Sequence, residues 1–448
     1  MWGEAQATMS DTALDTSERI VVHLVGSGLP GRVTLSLKRD ATTLAVDTVP
    51  SFTFDLRGRL VGGFDAGRTY RRTLDHRVIE KRGQRVDGER IRERRTLSAD
   101  EVRTLVATAY DYARQARDAL AGDSVRAVDA SVPDRGWRPR AAATLTDIAA
   151  WDETALEADA RLFQTIYQPI GILPPDQYRA LVLQATQGCS YNRCTFCSFY
   201  RGQGFRIKTP PEFERHLRAV EAFHGRALPL YRSVFLGEAN ALIAPQRLLV
   251  PMLDLVNREL PITPPDLSPA ERAAWLRARP VAFDGIYAFV SALDALRKSR
   301  ADIRELRARG LRRVYIGLES GDDAVLHFLN KPNTAAQALD GVRDLKAGGV
   351  AVGVVVMLGV GGARYAADHV THTADILNGM ALGPDDILYF SEYVDTPGSE
   401  YGQRAAEAGI QPLSHSVMQV QRATLEARLT FPGPPPKRAV YDIREFAY

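Results

Sequence analysis

Residues 181–202 read LVLQATQGCSYNRCTFCSFYRG. Leu181-Val182-Leu183-Gln184-Ala185 is a short strand of the buried type. The run after it holds every cysteine of the 448-residue chain: Cys189, Cys194 and Cys197. Thiolates at this spacing can wrap one metal centre. A structural zinc site needs a fourth ligand; the nearest downstream histidine is His216, and there is no second cysteine pair. An iron–sulfur cluster normally takes four thiolates, so three would leave one iron for a ligand from outside the protein. Unrelated core thiols are the third reading of the same residues.

Downstream, short strands alternate with longer helical stretches. Ser233–Leu236, Tyr287–Val290, Arg313–Leu318, Val350–Leu358 and Ile387–Phe390 read as strands. Thr209–Phe223, Gln246–Glu259, Ala301–Arg309, Thr334–Ala347 and His369–Gly379 read as helices, the first with Thr209 as its N-cap and prolines in its first turn. Repeated β-then-α units predict a parallel sheet covered by helices, an α/β fold of the partial (β/α)6 TIM-type barrel. Chemistry in such folds sits at the C-terminal ends of the strands, where the cysteine run and Gly237-Glu238 both fall.

Upstream the texture differs. Val33-Thr-Leu-Ser-Leu37 and Phe52-Thr-Phe-Asp-Leu56 alternate apolar and polar residues, and Arg57-Gly58-Arg59 reads as a hairpin turn. Ser98 and Glu101 form a capping box for a helix that fades near Gly122. The expected organisation is a flexible start (1–18), a small mainly-β N-terminal domain with a helix (19–122), a linker with a helix through Trp151–Leu162 (123–177), the barrel (178–400) and a C-terminal extension (401–448). Residues 68–95 hold eleven Lys/Arg against five Asp/Glu, 11 − 5 = +6. That run is either a solvated face or a surface for an acidic or phosphorylated partner.

Composition is that of an ordinary soluble protein: 45% hydrophobic, 25% charged, net charge +3. No apolar run is long enough to span a membrane, and the N-terminus has no basic start or apolar core of a secretory signal. With three clustered thiols, the expected compartment is the reducing cytoplasm.

The strand, cysteine loop and helix resemble the cluster loop of the radical S-adenosylmethionine (SAM) superfamily, in the branch of the anaerobic coproporphyrinogen oxidases and the Elongator catalytic subunit. The usual spacing there is Cys-x3-Cys-x2-Cys; here the first gap has four residues. Leu236-Gly237-Glu238 resembles the family's Gly-Gly-Glu, Tyr315–Gly321 the end of its fourth strand, Val352–Gly362 its fifth strand and turn, and Asp395–Ser399 the turn after its sixth. The resemblance covers roughly residues 178–400. It implies a [4Fe–4S] cluster on Cys189, Cys194 and Cys197, with SAM on the free iron. It also implies that Phe196 packs near the adenine, Gly237 and Glu238 meet the SAM amino group, and Glu319, Ser320 and Gly359 contribute at the strand ends. Arg206 and Lys208 are the candidate cations for the SAM carboxylate.

No cysteine remains for a second cluster or a thiyl donor, so a tyrosine such as Tyr389 or Tyr393 is the candidate hydrogen donor. No Asp-x-His-x-x-Gly pattern supports a corrinoid domain. The expected function is reductive SAM cleavage and hydrogen abstraction from a small organic substrate, with an electron donor such as flavodoxin or ferredoxin. RNA modification through the basic 68–95 face, and a zinc-stabilised binding protein, are the alternatives. The tail FPGPPPKRAVYDIREFAY either closes the open side of the barrel or lies on the surface.

Overall fold

The computed structural model describes residues 19–86, 89–122, 125–132, 134–396, 398–446 and 448. The expected flexible start, 1–18, lies outside these residues.

The N-terminal part is a nine-stranded antiparallel sheet. It runs as a meander from Ile20–Gly26 to Glu89–Thr96, and Val125–Ala130 pairs with the free side of the first strand. The alternation at Val33–Leu37 buries Val33, Leu35 and Leu37. They pack in one core with Val106, Tyr110 and Ala113 of the helix Ala99–Ala121. That helix starts at the expected capping box, with Ser98 accepting from the Glu101 N–H and Glu101 accepting from the Ser98 N–H. The stretch expected to be a linker is structured instead: Val125–Ala130 is a strand and Asp134–Ala149 a helix. Trp137 of that helix is fully buried in the same core, which explains why the polar, proline-containing segment is held down.

The second part is a seven-stranded, all-parallel sheet in the order Ala180–Gln184, Ser233–Gly237, Ile286–Phe289, Leu311–Glu319, Ala351–Leu358, Ile387–Glu392, Lys437–Val440. The first six are the strands read from the sequence, hereafter the first to sixth barrel strands; residues buried on both faces, such as Ser233–Gly237, make continuous runs of the parallel type. The seventh comes from the tail, which closes on the sixth strand in parallel register, Ile387 opposite Lys437. The fold is therefore mixed α/β: a partial barrel behind an antiparallel domain. Among the described residues no helix is long and apolar enough to cross a membrane.

The two parts meet at the predicted Arg57–Arg59 turn. Gly58 has φ +91°, and a Cβ there would stand 2.5 Å from the Asp147 carbonyl oxygen, so only glycine fits. Arg59, 1% exposed, pairs with Asp55 at 2.6 Å and Asp159 at 3.2 Å, and its guanidinium lies over the Phe223 ring. Part of the basic 68–95 run is engaged by partners within the chain. Arg95 pairs with Glu80 and Glu101, Lys81 with Glu445 at 3.3 Å, and Arg94 donates to the Phe446 carbonyl at 3.1 Å. The side chains of 84–92 lie outside the described set.

Candidate active site

The cysteine loop leaves the first barrel strand and is pinched at its base by a two-residue antiparallel ladder, Thr186 opposite Ile207 and Gln187 opposite Arg206. The four-residue first gap is accommodated by Asn192, which takes a left-handed backbone, φ +49°. Its N–H then reaches Cys189 Sγ at 3.4 Å and its Nδ2 the Tyr200 carbonyl at 2.8 Å. Arg201 donates to the carbonyls of Cys194 (2.9 Å) and Cys197 (3.2 Å). Distant chain holds the outside: Thr195 N–H donates to Leu329 O, Tyr191 Oη to Asn330 Oδ1, and Asn330 Nδ2 to Arg193 O.

All three thiols are free, half-buried, and line one cavity of about 230 Å3 at the C-terminal ends of the strands. Burial pushes the Cys197 thiol up to about 11 and the Cys194 thiol upward as well. Coordination by a metal reverses that balance, because a metal-bound thiol gives up its proton. Among the described residues no three His, Cys, Asp or Glu side chains converge on a point that could hold a single metal ion. Three sulfurs lining one cavity match the three-thiolate set that the sequence reading assigns to an iron–sulfur cluster.

Of the other predicted residues, Phe196 and Glu319 line this cavity. Glu319, 7% exposed with φ +62°, pairs with Lys331 Nζ at 3.3 Å, and Lys331 also donates to Gly317 O at 2.9 Å. Among the described residues Lys331 is the one lysine or arginine on the cavity wall, and the sequence reading missed it.

The remaining six point elsewhere. Glu238 follows a cis Gly237–Glu238 peptide. Its carboxylate accepts from Gln184 Nε2 and from Gly188 N–H, and its own N–H donates to Thr186 Oγ1 at 3.0 Å. It braces the base of the cysteine loop, and burial raises its carboxyl to about 7. Gly237 stays in the strand above Val182. Arg206 is exposed and pairs with Glu212 at 2.6 Å. Lys208 is buried and donates to Gln184 O at 2.8 Å; burial lowers its amine to about 8. Ser320 faces away from the cavity and bonds His369 Nδ1 at 2.8 Å. Gly359 rests on Met418, with its N–H on Gln421 Oε1 at 2.8 Å.

The tyrosines named as hydrogen donors are also occupied: Tyr389 Oη donates to Asp176 Oδ1 at 2.6 Å and Tyr393 Oη to Asp395 Oδ1 at 2.7 Å. Neither lines the cavity; Tyr191, Tyr200, Tyr315 and Tyr441 do. Of the expected Asp395–Ser399 turn, Pro397 lies outside the described residues. Asn240, another wall residue, ties Ser190 of the loop (3.0 Å) to Ser291 N–H (3.2 Å) and Asp294 (2.6 Å) after the third strand. Tyr441 and Ile443 bring the tail into the wall, so the tail does close the open side.

Residues 183–375 match the family model described as the Radical SAM superfamily. No curated protein matches. Among solved structures, coproporphyrinogen III oxidase (HemN) from Escherichia coli aligns at 14% identity and TM-score 0.38, over 62% of this chain and 57% of its own. SuiB from Streptococcus suis, bound to S-adenosylmethionine, aligns at 13% and 0.38, over 84% and 72%. The cobalamin-dependent radical enzyme OxsB aligns at 13% and 0.36; the chain covers 31% of its length, under a third.

Proposed function

We infer from the radical SAM domain at residues 183–375, with the [4Fe–4S] cluster and SAM that this family implies, that the protein is an enzyme which cleaves SAM reductively and abstracts hydrogen from a small organic substrate. The observation that carries the reading is the convergence of Cys189, Cys194 and Cys197 on one cavity at the C-terminal ends of parallel strands. Bound there, the cofactors supply electron transfer and carbon–sulfur cleavage, chemistry that is theirs rather than the protein's.

The chain positions and shields them. Lys331 offers a cation to the SAM carboxylate and Glu319 an anion to its ammonium, both charge-assisted contacts. Phe196 and Met357 give an apolar surface for the adenine. Phe289, Tyr315, Val355 and Tyr441 wall off water from the reacting centre. Glu238, Asn240 and Arg201 hold the loop through hydrogen bonds to its backbone and to Ser190. A small substrate is favoured over RNA because Arg94, Arg95 and Lys81 are engaged within the protein rather than arrayed toward the cavity.

The test is anaerobic reconstitution with iron and sulfide, then dithionite and SAM. Release of 5′-deoxyadenosine is the expected result. Intact SAM over a fully reduced cluster, or zinc in place of iron, refutes the reading. Salt-insensitive absence of RNA binding keeps the small-molecule substrate.

A further inference from the structure

A second cavity, of about 520 Å3, lies at the opposite end of the barrel. Its walls come from the N-terminal sheet and from the residues just before the first two barrel strands, Tyr178-Arg179 and Leu230-Tyr231. The volume is that of a small-molecule pocket. Its charge is unbalanced. Among the described residues four arginines line it (Arg59, Arg71, Arg72 and Arg179) against one side-chain carboxylate, Asp55. Asp55 is already taken, accepting from the N–H groups of Arg57 and Arg59 and from Arg59 Nε. Arg179 pairs with Asp40 at 2.8 Å.

Arg71 and Arg72 have no carboxylate partner among the described residues. Arg72, 7% exposed, donates to Leu60 O at 2.7 Å and contacts His76 Nδ1 at 3.4 Å. Arg71 reaches only the Tyr178 carbonyl at 3.4 Å and that residue's ring face. The cations Arg94 and Arg179 act on it from nearby. The Tyr178 hydroxyl is buried and has no hydrogen-bond partner. A half-buried guanidinium among other cations, beside an orphaned phenol, is costly unless a counter-ion arrives. Leu74, Leu230, Tyr231 and Tyr448 give the wall an apolar and aromatic part, while Ser51, Thr53 and Thr69 also line it.

We propose that this inter-domain cavity binds a small organic anion, its carboxylate or phosphate on Arg71 and its apolar body against Leu230, Tyr231 and Tyr448. The site is separate from the cysteine-lined cavity, and the proposal stands whether or not the protein cleaves SAM.

Calorimetric titration of the full chain with benzoate, phenyl phosphate, inorganic phosphate and neutral benzyl alcohol tests it. Benzoate or phenyl phosphate is expected to bind with Kd of about 1 mM or tighter, with benzyl alcohol at least about tenfold weaker. Which of the two anions binds better identifies the head group. Arg71→Met weakens binding at least about tenfold, while raising the melting temperature of the unliganded protein by removing an unpaired charge. Arg71→Lys, which keeps the charge but loses the two-pronged guanidinium, weakens binding a few-fold and serves if Arg71→Met does not fold. The proposal fails if neither organic anion binds below about 10 mM, if inorganic phosphate binds as well as phenyl phosphate, or if both variants keep wild-type affinity.

Discussion

The backbone N–H of Val182 donates to the hydroxyl of Tyr448 at 2.9 Å, joining the first barrel strand to the tail. On the same residue, Val182 O accepts from Tyr167 Oη at 3.0 Å, and two residues on Gln184 N–H donates to His216 Nε2 at 3.0 Å. The first strand pairs with Ser233–Gly237 on one side only. Its other edge is thus satisfied by side chains instead of a strand, which protects it from pairing with foreign chains. Tyr448→Phe keeps the packing against Phe163, Tyr167 and Tyr231 but strands a buried N–H. The expected loss is about 1–3 kcal/mol in urea unfolding. An unchanged midpoint would mean that water reaches this edge.

The cavity's cation gives a sharper test of the site. Lys331→Met is expected to weaken SAM binding to the reconstituted protein at least about tenfold, with Lys331→Arg recovering part of it. Arg206→Met, which removes an exposed pair with Glu212 and an exposed hydrogen bond to Gln187 Oε1, changes it less than about twofold. Equilibrium dialysis reads both. The reverse ranking would return the carboxylate role to the residue chosen from sequence proximity.

That contrast explains what the sequence discloses. The cysteines are adjacent in the chain, so their loop is visible as a motif, and Phe196 lies inside it. The barrel strands are uniform apolar runs with clear ends, and helices such as Gln246–Glu259 fall where their periodicity puts them. Lys331 is different: it enters the wall because the fourth strand and the segment after it fold back over the loop, a tertiary fact with no local signature. Arg206 and Lys208 sit near the cysteines in sequence, yet a capping box and a backbone carbonyl claim them. Strand Lys437–Val440 is short and charged, and its burial pattern is exposed, so only its partner Ile387–Glu392 identifies it.

Three buried histidines weaken the fold in acid. Burial lowers His216 to about 3, His369 to about 4, and His224 well below its ordinary value. Above pH about 6.5 both folded and unfolded states are neutral at these residues, so the full stability is present there. Below it the unfolded chain takes up protons that the folded chain refuses. Stability therefore falls as pH drops from about 6.5 toward 4 for His369 and toward 3 for His216, each by up to about 1.4 kcal/mol per pH unit. His224 has both ring nitrogens buried without partners, against Phe223 and Tyr231. His224→Phe is expected to hold stability at pH 7.5 and to flatten the slope between pH 6.5 and 5 in urea titrations. An unaltered slope would show that another group controls the acid limb.

Asp176 ties the barrel floor together. Its Oδ1 accepts from Tyr389 Oη at 2.6 Å; its Oδ2 accepts from Tyr315 Oη at 2.6 Å and pairs with Arg313 at 3.0 Å. Tyr315 is fully buried, and its ring forms part of the wall below the cysteines. Asp176→Ala would leave the Tyr315 and Tyr389 hydroxyls without their acceptor and Arg313 with only the Asp385 carbonyl, a loss of about 3–5 kcal/mol. Asp176→Asn keeps the volume and costs less, since one amide oxygen still accepts. If the carboxylate holds Tyr315 in place, the two residues must be coupled. A double-mutant cycle of Asp176→Asn with Tyr315→Phe is then expected to return about 0.5–3 kcal/mol of interaction energy in urea unfolding. Additive losses would show that the ring is fixed by its neighbours Phe235 and Phe289 alone, and that the floor carboxylate has no part in shaping the cavity above it.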